Sequence, residues 1–190
     1  MAWLTSEKIA SMGFAEVGKE VYLSDKASFH NCAAIRLGTR VRIDDFCILS
    51  AGAGGIYIGS HVHVAVFSSL IGAGEIRLDD FSNISSRVAI YSSTDDFTGE
   101  AMTNPMVPAR FTNVTSAPVH IGRHVVIGTG SVVLPGCVLA EGVAVGALSM
   151  VNRSCEAFGI YAGVPARLKR PRSNHLLELE QRFASDIGAR

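Results

Sequence analysis

Hydrophobic positions along this chain recur every six residues. The clearest run, residues 121–151, divides into Ile121-Gly-Arg-His-Val-Val, Ile127-Gly-Thr-Gly-Ser-Val, Val133-Leu-Pro-Gly-Cys-Val, Leu139-Ala-Glu-Gly-Val-Ala and Val145-Gly-Ala-Leu-Ser-Met, followed by Val151. An aliphatic residue opens each unit, Gly or Ala often follows it, and a small or β-branched residue holds the fifth place. A helix of period 3.6 would scatter these aliphatics around its surface, and an alternating strand has no need of regular glycines. A six-residue period with regular turns predicts a coil of short parallel strands, three per turn, with the aliphatics stacked inward as a β-solenoid.

Weaker sixes precede that run, opening at Val17, Leu23 and Phe29, then Leu37, Ile43 and Leu49, then Ile58 and Val64, then Leu78, Ile84 and Ile90. The glycine-rich insertions at 51–55 and 72–74 read as small bulges at coil corners. No helix follows either one, so they lack the context of a dinucleotide-binding loop. The pattern stops at Tyr91 and resumes at Val119 or Ile121. The polar stretch between, 91–118, holds Pro105, Pro108 and Pro118, and a long excursion from a regular coil usually carries function. Its apolar anchors Phe97, Met102, Met106, Val107 and Phe111 predict an ordered loop packed on something. Residues 1–16 predict a capping helix, started at Thr5 or Ser6 and carrying Trp3, Leu4, Ile9 and Met12 on one side. The solenoid with its loop then spans 17–170. A final helix lies within 171–190, with Leu176, Leu177 and Leu179 facing the solenoid or a neighbouring subunit.

Composition removes several classes. Lys plus Arg and Asp plus Glu each number 17, so no charge argument favours nucleic acid or an anionic membrane. No apolar run reaches bilayer length and the first residues lack a signal-peptide pattern, which makes the cytoplasm the expected location. The four cysteines form no CxxC pair. Cys47 and Cys137 hold the small fifth place of their units and are expected as core thiols.

These sixes, with the closing Gly163-Val164-Pro165-Ala166-Arg167, resemble the hexapeptide-repeat acyltransferases. The resemblance covers 17–170 and is closest to the galactoside and maltose O-acetyltransferases and the sugar acetyltransferases of O-antigen and capsule pathways. It implies an all-β, left-handed parallel β-helix, a homotrimer, and transfer of an acetyl group from acetyl-CoA to a hydroxyl or amine of a sugar. It also implies positions. Gly128 and Thr129 match residues beside the thioester, and Ala147, after Gly146, matches a flat corner under the pantetheine arm. Asn152 and Arg153 match a pair that in the family is often Thr-Lys. Arg167 and Arg170 match basic residues that meet the CoA phosphates, a role suited to charged forks. No metal is expected.

The base is where this chain departs from that branch. A His stands there a few residues after the coil ending at Ile90; here the place holds Asp95, followed by Asp96. Acyl transfer needs a group that takes the acceptor's proton. A carboxylate at its ordinary pKa of about 3.9 is a weak base, and burial beside Asp96 and Glu100 would strengthen Asp95. The alternative is that Asp95 and Asp96 only cap the loop backbone. His63, expected to point outward from a coil face, is the second candidate. His61 is expected at a solvent-exposed turn, and His30, His120 and His124 have no evident partner. Two other classes stay open: a zinc enzyme of the carbonic-anhydrase type, which needs three converging His, and a non-catalytic repeat scaffold. The CoA-side pattern favours direct transfer in a groove between subunits, with a backbone N–H near Gly128 or Thr129 holding the oxyanion.

Overall fold

The computed structural model describes residues 2–188 as a three-sided parallel solenoid. Its first face stacks Glu16–Val17, Ile35–Leu37, Ile56–Ile58, Ile76–Leu78, Val119–Ile121 and Val138–Leu139. The second stacks Tyr22–Leu23, Arg42–Ile43, His63–Val64, Asn83–Ile84, Val126–Ile127, Ala144–Val145 and Gly159–Ala162, closed by Arg167–Pro171. The third stacks Ser28–His30, Ile48–Ala51, Ser69–Gly72, Ala89–Tyr91, Val132–Val133 and Met150–Val151. Each strand pairs with the strand one coil away, so Leu78 lies between Ile58 and Ile121.

That register turns the six-residue period into columns. Leu37, Ile58, Leu78, Ile121 and Leu139 line the inside of the first face, each no more than 4% exposed. Leu23, Ile43, Val64, Ile84, Ile127 and Val145 do the same on the second. Full burial of one such side chain contributes about 1.5–3 kcal/mol, so the columns carry the fold. Cys47 and Cys137 are buried beside them, and burial pushes the Cys47 thiol up to about 11.

Three corners join the faces. At the first corner (first face to second) and the second corner (second to third), the third corner residue adopts the left-handed conformation. Arg40, His61, Phe81 and His124 do so at the first, and Phe46, Phe67, Arg87 and Leu148 at the second, with φ between 56° and 63°. This backbone costs a non-glycine residue roughly 1–2 kcal/mol. It also lets rings from successive coils meet: Phe46 stacks on Phe67, and His61 on Phe81.

At the third corner (third face to first) the chain leaves the coil after Ser92 and returns at Val119. This loop folds on itself through the pair Ser93–Thr94 and Thr115–Ser116 and a bridge between Met102 and Thr112. Its apolar anchors were expected to pack; instead Phe97 and Met106 are 91% and 90% exposed. Helix α1 (Ser6–Ser11) is capped by Thr5, whose hydroxyl accepts from Lys8 N–H, and it buries Ile9. Helix α2 (Leu176–Gly188) packs on the first corner of its own solenoid, with Phe183 edge-on to His61 and Phe81.

Candidate active site

Three residues make the second corner in each of five consecutive coils: Asp44-Asp45-Phe46, Ala65-Val66-Phe67, Ser85-Ser86-Arg87, Gly128-Thr129-Gly130 and Gly146-Ala147-Leu148. The first N–H of each donates to a carbonyl of the next coil, as Ser85 does to Ile127 at 3.0 Å and Gly128 to Val145 at 2.8 Å. The third donates to the preceding coil wherever one forms the same corner, as Gly130 does to Ser86 and Leu148 to Thr129. The middle N–H groups of Asp45, Val66, Ser86, Thr129 and Ala147 donate to nothing among the described residues. They form a row of free donors about 4.8 Å apart along the corner.

Small residues keep that row open at its C-terminal end. A Cβ on Gly128 would lie 2.5 Å from the Ala147 nitrogen, so the two coils stack backbone on backbone. Beneath them the Ser131 and Ser149 hydroxyls both donate to the Gly146 carbonyl, at 3.1 and 2.7 Å. The buried serines therefore satisfy the corner's acceptors from inside and leave its donors facing out.

The residues matched to a CoA site divide between places. Thr129 and Ala147 are exposed on the second corner. The closing segment joins them: Met150 N–H donates to Gly163 and Ala166 N–H to Met150, and Arg167 pairs with Ala162, which sits over Gly146. Asn152 and Arg153 are exposed beyond Val151, past the third face and toward the third corner. Arg170 pairs with Ile160, farther along the closing strand from Arg167. Gly128 has spent its own N–H, and the free donor at that level belongs to Thr129. The resemblance marked Gly128 and Thr129 alike, whereas which of the two N–H groups is free follows from the pairing of neighbouring coils.

The candidate bases differ sharply. Asp96 accepts from Thr98 N–H, the Thr98 hydroxyl, Gly99 N–H and Ala101 N–H, all between 2.8 and 3.2 Å. Those donors, Thr98 N–H foremost, hold its carboxyl at about 2, so it builds the loop and takes no proton near neutrality. Asp95 is exposed, and only its backbone carbonyl is engaged, by the Thr94 hydroxyl at 3.4 Å. His63 stands on the second face with Nε2 2.8 Å from Oδ2 of buried Asp44, whose Oδ1 accepts from Arg42 Nε at 2.7 Å. Its strand lies two strand spacings, roughly 10 Å, from that of Val126.

His61, His120 and His124 have partners that the sequence did not reveal. His120 Nε2 lies 2.6 Å from Asp79 on the first face, and His124 Nε2 lies 2.8 Å from Glu180 of α2. His61 is half-buried against Phe81, not solvent-exposed. His63 and His120 thus stand on different faces, His61 and His124 have the Phe81 ring between them, and among the described residues no three His, Cys, Asp or Glu side chains gather into a metal-holding group.

No family model matches the chain. Its sequence is 52% identical over 183 residues to a dTDP-4-amino-4,6-dideoxy-D-glucose acyltransferase of Escherichia coli, covering 96% of this chain and 95% of the other. The chain belongs to the hexapeptide-repeat sugar acyltransferases. The fold of this acyltransferase superposes with a TM-score of 0.94 on AntD, an N-acyltransferase from Bacillus cereus solved with dTDP and 3-hydroxybutyryl-CoA, at 42% identity over 98% of each chain. A serine variant of AntD was solved with dTDP-4-amino-4,6-dideoxyglucose and coenzyme A. A putative lipopolysaccharide biosynthesis O-acetyl transferase, WbbJ of Escherichia coli K12, is 28% identical over 190 residues, covering 88% of this chain and 92% of the other. Transfer from an acyl-CoA to a sugar, the activity implied by the repeats, is therefore the activity of this acyltransferase, and the scaffold and zinc-enzyme alternatives are not favoured.

Proposed function

We propose that this enzyme moves an acyl group from acyl-CoA to the C4 amine of a dTDP-4-amino-4,6-dideoxyhexose, giving an acylated nucleotide sugar for surface polysaccharide. One observation carries the choice of an amine over a hydroxyl: among the described residues no histidine or buried carboxylate stands at the level of Thr129. Asp96 is consumed by its loop, Asp95 is open to solvent, and His63 is tied to Asp44 two coils away. A hydroxyl must lose its proton as it attacks a thioester. A neutral amine attacks with its own lone pair and sheds a proton afterwards. The aminosugar acyltransferase relative and the AntD complexes support the same acceptor.

In this reading the pantetheine arm lies along Ala147, and the thioester carbonyl meets the free N–H of Thr129. Arg167 and Arg170 serve the CoA phosphates, and Asn152 and Arg153, beyond the third face of the same chain, would do so only across a subunit boundary. The amine nitrogen bonds to the carbonyl carbon, and Thr129 N–H holds the oxyanion that forms. The intermediate then collapses: the C–S bond breaks, the nitrogen loses its proton, and the CoA sulfur receives one, leaving amide and free CoA. Asp95 accepts a hydrogen bond from the amine and so orients its lone pair; proximity supplies much of the rate.

A homotrimer suits this division of parts. Asp95 rises from the third corner and Thr129 sits at the second, so an arm from one subunit is suited to reach its neighbour's groove. Ile71 and Tyr91 in one column, and Ala89, Val132 and Met150 in the next, give the third face an apolar outer surface. Both substrates are highly charged and do not cross a bilayer unaided, which supports a cytoplasmic enzyme. Among the described residues no helix is long and apolar enough to span a membrane.

Thiol release with dTDP-4-amino-4,6-dideoxyglucose and with its 4-hydroxyl counterpart tests the chemistry. The amine is expected to be preferred by about 100-fold or more, on the scale of a missing catalytic base; equal rates would overturn the proposal. Light scattering tests assembly against a mass of three chains of 20.1 kDa each.

A further inference from the structure

We infer that the N-terminal half of the second corner, from Arg87 back to Lys26, seats the thymidine diphosphate of the acceptor. This rests on the nucleotide-sugar reading above. Free N–H donors do not end at Thr129; they continue through Ser86, Val66 and Asp45. Beside them Phe46 and Phe67 stack at 5.0 Å, with 48% and 50% of their surface exposed. Lys26 Nζ lies 5.6 Å from the Phe46 ring centre, and the Arg87 guanidinium lies 5.4 Å from that of Phe67. Arg87 thus leans back from its own coil to the level of Val66.

That lean matches where a phosphate must fall. If acyl-CoA fills the corner from Thr129 to Arg167, the acceptor approaches from the other end, with its amine between Ser86 and Thr129. Its diphosphate hangs from C1, across the sugar ring from C4, about one coil spacing away. This is the level of the Val66 N–H and the Arg87 guanidinium, a planar fork that suits phosphate oxygens. The thymine then reaches Phe67 and Phe46, whose exposed edges suit an edge-to-face contact with a flat ring.

The charges nearby leave Arg87 available. Asp45 accepts from the Ser24 hydroxyl and pairs with Lys26 at 3.6 Å, and Asp44 is buried between Arg42 and His63. Arg87 has no carboxylate partner among the described residues. A cavity of about 470 Å³ on the first face also offers arginines, Arg36 and Arg77 on either side of Tyr57. Both already face carboxylates, Glu16 and Glu75, and the cavity lies away from the open corner.

Calorimetric titration with dTDP tests the seat, using CoA binding as the control for folding. Arg87→Ala is expected to weaken dTDP about tenfold or more, as loss of a charge-assisted contact does, and to raise KM for the nucleotide sugar in parallel. Phe67→Ala should act in the same direction, and Arg77→Ala should change nothing. KM for acyl-CoA should stay within about twofold in all three, because its half of the corner is untouched. If Arg87→Ala and Phe67→Ala keep full dTDP affinity, the seat is wrong and the nucleotide-sugar reading survives. Wild-type enzyme that binds CoA but not dTDP would overturn that reading and the seat together.

Discussion

The first and second corners share a backbone and differ in what their side chains do to it. Both place their third residue in the left-handed region and send its N–H to the coil before. At the first corner the middle N–H is capped by the next coil: Lys19 by the Thr39 hydroxyl, Thr39 by the Ser60 hydroxyl, and Ser60 by the Asp80 carboxylate. Farther along, His61, Phe81 and His124 stack and α2 lies over them, while Arg172 donates to the carbonyls of His124 and Gly142. At the second corner the middle N–H has no partner among the described residues through five coils. The first corner spends its polar groups on holding the chain together, and the second leaves its own unspent, which is what the proposed ligand groove uses.

Filling the open corner is the harshest way to break this contrast. Ala147→Trp places a bulky ring on an exposed site, so the coil should survive with its melting temperature nearly unchanged. Acyl-CoA binding and turnover should fall by about 100-fold or more, the loss expected when a groove is displaced from its reacting partner. Normal turnover would mean that the groove lies elsewhere. Asp95→Asn is milder. A positioning carboxylate replaced by an amide should lower kcat by about tenfold with KM for acyl-CoA unchanged. His63→Ala, on the second face, should leave turnover within about twofold, and a larger loss would make His63 the base.

The contrast also separates what a sequence displays from what it conceals. The columns through Ile121, Ile127, Val133, Leu139, Val145 and Val151 are legible because burial demands an aliphatic at every sixth place. The closing Gly163-Val164-Pro165-Ala166-Arg167 and the small corner around Gly128 and Ala147 are legible for a related reason, since the coils meet backbone to backbone there. Hydrogen-bonding partners are not. Whether Thr129 N–H is free depends on which side chains the adjoining coils present, and His120 finds Asp79 across 41 residues. Asp95 and Asp96 look alike in the chain. Only the folded loop gives Asp96 four donors and, among the described residues, Asp95 none at its carboxylate. The seat of α2 was equally hidden, because it depends on rings from three coils meeting at one corner.

Damage to the sealed corner should show in stability and spare the chemistry. Phe81 lies between His61 and His124 at 4.9 and 5.0 Å and meets Phe183 edge-on. It is half-buried, so Phe81→Ala should cost about 2 kcal/mol, less than a fully buried Phe. In a chain of this size that lowers Tm by about 4–8 °C. Calorimetry checks the first number, and an unchanged KM for acyl-CoA checks that the two corners act independently. A raised KM would show that α2 and the groove are coupled.

Acid should produce the smallest effect, again on one corner only. Burial by itself would raise the Glu180 carboxyl. The hydrogen bond with His124, together with Arg123 close by, outweighs burial and sets the group below its ordinary 4.5. A carboxyl depressed by folding contributes stability that is fully present above its unfolded pKa and is lost as pH falls through the folded one. The protection of the α2 amides, relative to their intrinsic exchange rate at each pH, should therefore hold steady down to about pH 4.5 and fall below it, ahead of the buried columns. Glu180→Gln should remove that step, because the amide keeps a hydrogen bond yet has no proton to gain. If the variant shows the same step, the acid sensitivity of α2 comes from another group and Glu180 is not what fastens the helix to the first corner.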